Sequence, residues 1–113
     1  MKFSVQAIQL RIYLGEDQKF QGKPLYECIV LKARELGLAG ATVLRGPLGY
    51  GHNSQLRSTK VLRLSEDLPL VIDIIDEEDK INDFLPTLDN MMNSGLVTLG
   101  KVDIRQYGQS TQS

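Results

Sequence analysis

The residues best suited to binding an anion lie in the run RGPLGYGHNSQLRSTKVLRL, which occupies positions 45–64. Three glycines open the run, and four basic residues occur in it without an acid, although the 113-residue chain has a net charge of -1. Guanidinium and ammonium groups donate charge-assisted hydrogen bonds to phosphates, and glycine leaves backbone N–H groups accessible and permits positive φ. The run therefore predicts a site for an anionic ligand or a protein partner. Its candidate residues are Arg45, Gly46, Gly49, Gly51, His52, Arg57, Lys60 and Arg63.

Other interpretations of this run stay open on the residues alone. The glycines do not follow the GxxxxGK[ST] spacing of a nucleotide-binding P-loop, so a turn that uses glycine for flexibility explains them equally well. The basic residues fit a solvated loop as well as a binding surface. His52 has neither a second histidine nor an assigned acid partner, which is typical of an ordinary loop residue. Arg105, at the end of the last predicted strand, is a further candidate that either reaches the cleft of a neighbouring subunit or is simply exposed.

Enzymatic and metal chemistry have little support in the sequence. It contains no Ser/His/Asp set, no GxSxG elbow and no HExxH motif. The single cysteine, Cys28, and the single histidine, His52, leave no ligand set for zinc, and Cys28 is predicted to be a small buried hydrophobe on a helix face. The acidic run at 76–79 lacks the spacing of a calcium loop and fits the first turn of a helix. We therefore predict no catalytic site and no metal site.

Hydrophobic periodicity predicts four strands and two helices. Alternating apolar residues mark a strand at 8–14, and i, i+3, i+4 spacing marks the two helices. The first helix begins at Pro24 and stops at Gly37, and the second has Asp76 as its N-cap, contains Pro86 and ends at Gly95. The remaining strands are predicted at 41–45, 68–75 and 96–104, the last with a bulge at Gly100, where the apolar phase changes.

This order of elements predicts an α+β fold of the ferredoxin-like type, βαββαβ. Its four-stranded antiparallel sheet carries both helices on one face, with a long loop between the second and third strands. The other face of the sheet is open, and in so small a domain we expect it to form an oligomer interface. Residues 1–107 are predicted to form this one domain and 108–113 a disordered tail. No run approaches the roughly 20 apolar residues of a membrane helix, and no signal peptide is recognisable, so we expect no membrane insertion and a cytoplasmic protein.

The chain resembles the PII-like domains of unknown function, small bacterial and archaeal proteins related in fold to PII signalling proteins. The resemblance extends from residue 10 to residue 107 and rests on four stretches: LRIYLGED at 10–17, GKPLYE at 22–27, GLAGATVLRGPLGYG at 37–51 and LSEDLPLVIDIIDEEDKI at 64–81. It implies a homotrimer with a long loop after the second strand that corresponds to the PII T-loop. It also implies adenine nucleotides in the clefts between subunits, and a transporter or an enzyme as the partner of the loop.

On that resemblance Arg45, Gly46, Gly49 and Gly51 form the base of the loop beside a cleft, and the other basic residues of the run line the loop. The segment NSGLVTLGKVDI at 93–104 departs from the TGxxGDGKIF stretch with which PII proteins hold phosphates. We therefore expect a regulatory protein that binds an adenine nucleotide or another small anion and signals through residues 45–64. A ligand-independent protein-interaction module is the alternative, and a small enzyme at the subunit cleft is a third option. Nucleic acid is not expected, because the third and fourth strands lack aromatic residues on which bases could stack.

Overall fold

Two helices and a four-stranded antiparallel sheet form the two layers of the protein. The computed structural model describes residues 4–50, 56–58 and 68–108, without the side chains of residues 4, 5, 57 and 58. Its elements in chain order are β1 (Ser4–Gly15), β2 (Lys19–Phe20), β3 (Lys23–Pro24), α1 (Leu25–Glu35), β4 (Ala41–Arg45), β5 (Leu48–Gly49), β6 (Arg57–Ser58), β7 (Pro69–Asp76), α2 (Glu78–Met91) and β8 (Leu96–Arg105).

The main sheet has the strand order β4-β7-β1-β8, and every neighbouring pair is antiparallel. Consequently β1 and β4 run parallel with β7 between them, and β7 and β8 run parallel with β1 between them. Each parallel pair is joined through one helix, which makes two split βαβ units. The predicted ferredoxin-like α+β fold is confirmed, and each of its four strands and two helices lies where the periodicity placed it.

The core lies between the sheet and the helices. Alternate residues of β1 and β7 point to the helices, as the period of two in a strand requires, and residues at i, i+3 and i+4 of each helix face them. Leu36 is exposed beyond the end of α1, and Cys28, which was predicted to be a buried hydrophobe, is only half-buried against the core. The buried set comprises Leu10, Ile12, Leu14, Leu25, Ile29, Ala33, Leu70, Ile72, Ile74, Ile81, Phe84, Leu88 and Met91.

The ends of α2 differ from the prediction. Glu77, rather than Asp76, is the N-cap residue, and no side chain caps the helix. Asp76 instead ends β7 as a buried carboxylate, which accepts hydrogen bonds from the backbone N–H of Ala39 at 2.9 Å and of Glu77 at 2.7 Å. The helix continues past Pro86 and stops at Met91, so Gly95 is not its end. Gly95 instead adopts a φ of 129° in the turn that leads into β8.

The predicted bulge at Gly100 is wrong. β8 pairs with β1 in an unbroken register, in which Leu10 is opposite Leu99 and Gln9 is opposite Gly100. The apolar phase changes because the two ends of β8 place apolar residues on opposite faces: Leu99 shares the helix-side face with Leu10, whereas Val102, opposite Ala7, lies on the other face. The change of phase therefore reflects apolar residues on both faces of a regular strand and not a bulge.

The long connection between β4 and β7 contains a short antiparallel ribbon that the sequence did not predict. β5 pairs with β6, with Leu48 opposite Ser58 and Gly49 opposite Arg57. A second small ribbon, β2 with β3, fills the connection between β1 and α1. The first ribbon places residues 48–49 and 57–58 beside each other, directly outside the sheet edge that carries Arg45.

Candidate functional site

The candidate site is the base of the long connection, where its two ends return to the sheet. Arg45 ends β4, and the backbone N–H of Gly46 continues the ladder by donating to the Pro69 oxygen at 2.8 Å. At the other end, the backbone N–H of Glu16 donates to the Leu68 oxygen at 2.8 Å. β1 and β4 run parallel, with β7 between them. Glu16, which follows β1, and Arg45, which ends β4, therefore lie at the same edge of the sheet, on either side of β7.

Arg45 forms a two-pronged ion pair with Glu16 across this edge. Its Nε donates to one carboxylate oxygen at 3.2 Å and its Nη2 to the other. The two strands are two sheet spacings apart, about 10 Å, which only two long side chains can bridge. The Glu16 carboxylate raises the pKa of the Arg45 guanidinium above its ordinary value. The Arg45 side chain is 52% exposed and that of Glu16 12%, so solvent can reach the arginine but hardly the acid.

Close packing explains the glycines at this base. A Cβ at Gly46 or Gly49 would lie 3.2 Å from Cγ of Pro69, which is closer than ordinary Cβ contacts. Neither residue has the positive φ that the phosphate-loop interpretation relies on. The Gly46 N–H is already bonded to Pro69, so it has a partner without any ligand. At these two positions the neighbouring proline favours a residue without a Cβ.

The structure brings only part of the predicted site together. Gly51, His52, Lys60 and Arg63 lie outside the described residues, and Arg57 is described only by its backbone, which pairs with Gly49. Arg105 lies elsewhere in the fold.

Arg105 is opposite Ser4 at the start of β1. Arg45 is opposite Leu70 of β7, which is in turn opposite Leu14 near the end of β1. Ten residues of strand, about 33 Å, therefore separate the two arginines along one copy of the chain. The Arg105 guanidinium lies 5.9 Å from the centre of the Tyr107 ring.

The face of the sheet opposite the helices carries two cross-strand rows. One row is polar: Thr42, Asp73, Arg11 and Thr98. In it Arg11 Nε donates to Asp73 Oδ1 at 2.6 Å and Nη2 to Oδ2 at 3.1 Å, and this pairing raises the pKa of Arg11 above its ordinary value. The neighbouring row is largely apolar: Leu44, Val71, Tyr13 and Leu96. Three of its four side chains, those of Leu44, Tyr13 and Leu96, are exposed. We call these two rows together the open face.

Two grooves on the helix side lie away from this base. The larger, about 360 Å³, lies between the end of α2 and β8, and the smaller, about 260 Å³, lies beside α1 and β2. Neither is lined by Arg45 or the glycines next to it.

Family membership follows from comparison with known proteins. Residues 7–104 match the model of the DUF190 family, described as an uncharacterized ACR. This chain belongs to the DUF190 family. A UPF0166 protein of Aquifex aeolicus is 45% identical over 95 residues, covering 84% of this chain and 90% of the relative. A UPF0166 protein of Methanocaldococcus jannaschii is 38% identical over 96 residues, covering 84% and 88%.

Solved structures place the DUF190 protein in the PII-like fold. CPII from Thiomonas intermedia K12, a nitrogen regulatory PII-like protein bound to ADP, AMP and bicarbonate, has a TM-score of 0.63 at 17% identity, covering 90% of this chain and 91% of CPII. The apo form of CPII has a TM-score of 0.58 at 16% identity, covering 95% and 100%. The likeness confirms the PII-like, ferredoxin-like fold that the sequence predicted.

Glu16 is the residue of this base that the sequence analysis missed. The predicted topology contained the signal needed to find it. The carboxyl ends of the parallel strands β1 and β4 share a sheet edge, and at that edge an acid, Glu16, follows β1 while a base, Arg45, ends β4. Gln18 was missed as well; its Oε1 accepts from the Gly15 N–H at 2.9 Å and its Nε2 donates to the Ser94 oxygen at 3.2 Å, which fixes the turn after β1.

Within 4–50, 56–58 and 68–108, no group of three or more His, Cys, Asp or Glu side chains is arranged to hold a metal ion. Among the same residues, neither helix has the length and hydropathy needed to cross a membrane.

Proposed function

We propose that this DUF190 protein is a cytoplasmic, homotrimeric PII-like regulator. It binds an adenine nucleotide or another small anion between subunits and signals through residues 45–64 to a protein partner such as a transporter or an enzyme. The observation that carries the proposal is the exposed Arg45 guanidinium at the base of the long connection, in a fold whose neighbour CPII was solved with ADP, AMP and bicarbonate. A guanidinium in that position offers the paired donors that phosphate and carboxylate groups prefer.

The separation of Arg45 and Arg105, the two candidate arginines whose side chains are described, supports a site between subunits. Within one copy, Arg45 and Arg105 lie at opposite ends of β1, too far apart to hold one small ligand. An anion that uses both must therefore be contacted by two copies. Neither of the two helix-side grooves described above is lined by Arg45, which is consistent with a cleft completed by a neighbour.

The open face supports the assembly that such a site needs. Leu44, Tyr13 and Leu96 form a contiguous exposed apolar row, the kind of surface that oligomer interfaces cover. The adjacent Arg11 and Asp73 satisfy each other's charges, so a second copy could cover them without supplying new partners.

Thermal unfolding and calorimetry with ATP, ADP, AMP, GTP and bicarbonate test the proposal. We expect ADP or AMP to raise the melting temperature of the trimer, because a ligand at about a hundred times its Kd adds roughly 2.7 kcal/mol of stability. Arg45→Gln should weaken binding roughly tenfold or more, since it removes charge-assisted hydrogen bonds. Arg34→Gln, at an exposed arginine on α1, is the matched control and should leave binding unchanged. A protein that is trimeric but binds no member of this panel would contradict the proposal.

A second candidate, a ligand-independent interaction module, is favoured by the bonds at the base. Arg45 already has Glu16, and the Gly46 N–H already has Pro69, so both groups are satisfied without a ligand. In that case the ribbon of β5 and β6 serves only as a docking arm. Equal binding of a partner with and without nucleotide would favour this candidate.

A further inference from the structure

We propose that Glu16 is an internal competitor for the anion, occupying Arg45 until a ligand displaces it. This inference rests on the proposed function, because it concerns the regulation of the same site. Its basis is the observed juxtaposition of the largely buried Glu16 carboxylate with the half-exposed Arg45 guanidinium at the base of the long connection.

The geometry fits competition for the same donors. Both Nε and Nη2 of Arg45 are directed at Glu16, and these are the donors that a guanidinium uses for two-pronged recognition of a phosphate or carboxylate. A ligand cannot take the same pair of donors while Glu16 holds them. The ligand's apparent affinity is therefore lowered by the free energy of the internal pair. For a pair whose guanidinium is half-exposed, this corresponds to roughly a two- to fivefold change in Kd.

Glu16 also connects ligand binding to the long connection. Its side chain holds the first end of the connection at Arg45, while its backbone N–H holds the second end at the Leu68 oxygen, 2.8 Å away. Displacing the carboxylate breaks the ion pair with Arg45 and leaves the backbone hydrogen bond to Leu68 in place. A partner that binds the connection and draws Arg45 away from Glu16 would raise the anion affinity, and the anion would raise the partner affinity by the same factor.

A double-mutant cycle on the full chain tests the competition. Glu16→Gln removes the charge and keeps the size, and we expect it to tighten ADP or AMP binding roughly two- to fivefold. In an Arg45→Gln background the same substitution should have no effect on Kd, because there is no guanidinium left to compete for. Binding that needs Arg45 but is not tightened by Glu16→Gln overturns the inference and leaves the proposed function intact. Binding that is indifferent to both residues also overturns the inference, whereas no binding by any variant overturns both.

A second measurement needs no nucleotide. Phenylglyoxal modifies accessible arginines, and peptide mass spectrometry gives the rate at each position. Glu16→Gln should raise the rate at Arg45 several-fold relative to Arg34, and unchanged relative rates would refute the internal pair. If Glu16→Gln does not fold, Glu16→Asp replaces it: the carboxylate loses one methylene of reach, so we expect the same change with a smaller size.

Discussion

Replacing Leu44 with lysine tests whether the open face joins the subunits. Leu44 lies on the edge strand β4, on the face opposite the helices, in the row with Val71, Tyr13 and Leu96. It is 57% exposed in the single chain. A lysine at this position leaves the core untouched, because Leu44 is not part of the buried set. Its effect should therefore fall on assembly.

The expected loss follows from the exposed fraction. Fully burying a leucine side chain contributes about 1.5–3 kcal/mol, so covering the remaining 57% at an interface contributes about 0.9–1.7 kcal/mol per subunit. In the proposed trimer, three copies lose about 2.5–5 kcal/mol, which is roughly two to four orders of magnitude in its dissociation constant. Burying the lysine charge adds to this loss, although the lysine stem recovers part of the apolar contact.

Sedimentation velocity over a range of protein concentrations measures the change. The matched control is Leu31→Lys: Leu31 is 62% exposed on α1, in the helix layer, and the substitution adds the same charge. We expect Leu44→Lys to shift the population towards smaller species at concentrations where the wild type and Leu31→Lys stay assembled. Equal behaviour of the two variants, or an unchanged oligomer in Leu44→Lys, would refute the assignment of the open face to the subunit contact.

Three further predictions concern the fold that carries the site, each measured by urea unfolding followed by circular dichroism. Phe84→Ala should cost about 3–5 kcal/mol, because Phe84 is 1% exposed at the centre of the core. Asp76→Ala should cost about 1–3 kcal/mol, since it leaves two backbone N–H groups without their acceptor. Gly49→Ala should cost about 1–3 kcal/mol by crowding Pro69. The matched control for Gly49→Ala is Gly40→Ala, which should be neutral or stabilise by up to about 1 kcal/mol because its Cβ meets open space.

Each of these predictions has a specific contradicting result. For Gly49→Ala, a Pro69→Ala substitution in the same chain should recover most of the loss, and a loss that persists would show that crowding is not the cause. Asp76→Asn should lose less than Asp76→Ala, since its amide keeps one acceptor oxygen; equal losses would argue against the two hydrogen bonds. A loss below about 1 kcal/mol in Phe84→Ala would be incompatible with its place in the core.

The fold was predictable because it is specified by repeating patterns. The alternation in β1 and the helical spacing in α2 each involve several residues, so an error at one position does not change the result. The order of the elements then selects one of few topologies that bury both helices on one sheet. The apolar run at 68–75 was predicted to be a strand and forms most of β7 (Pro69–Asp76), which has a neighbour on both sides; a strand in that position needs apolar residues along most of its length.

The local features that depend on a single long-range contact were not predictable in the same way. Asp76 has the residue type and place of an N-cap, and its actual partner, Ala39, lies 37 positions earlier in the chain. The phase change at Gly100 is compatible with a bulge until the register with β1 is known. In both cases the local sequence fits the predicted feature, but a contact with a distant part of the chain decides which feature forms.

The predicted anion site was also only partly predictable, because the sequence pattern does not show its long-range contacts. The structure shows the candidate residue Arg45 half-exposed at the end of β4 and Pro69 packed against Gly46 and Gly49, and the assignment of all three to a ligand stays a prediction. Charge counting also gave the 45–64 run an uncompensated positive charge, because it compared residues that are neighbours in sequence. The compensating acid, Glu16, follows a strand that is two places away in the sheet and 29 positions earlier. A basic segment in an α+β fold should therefore be assessed against the residues at the same sheet edge, since these determine how much of its charge is left for a ligand.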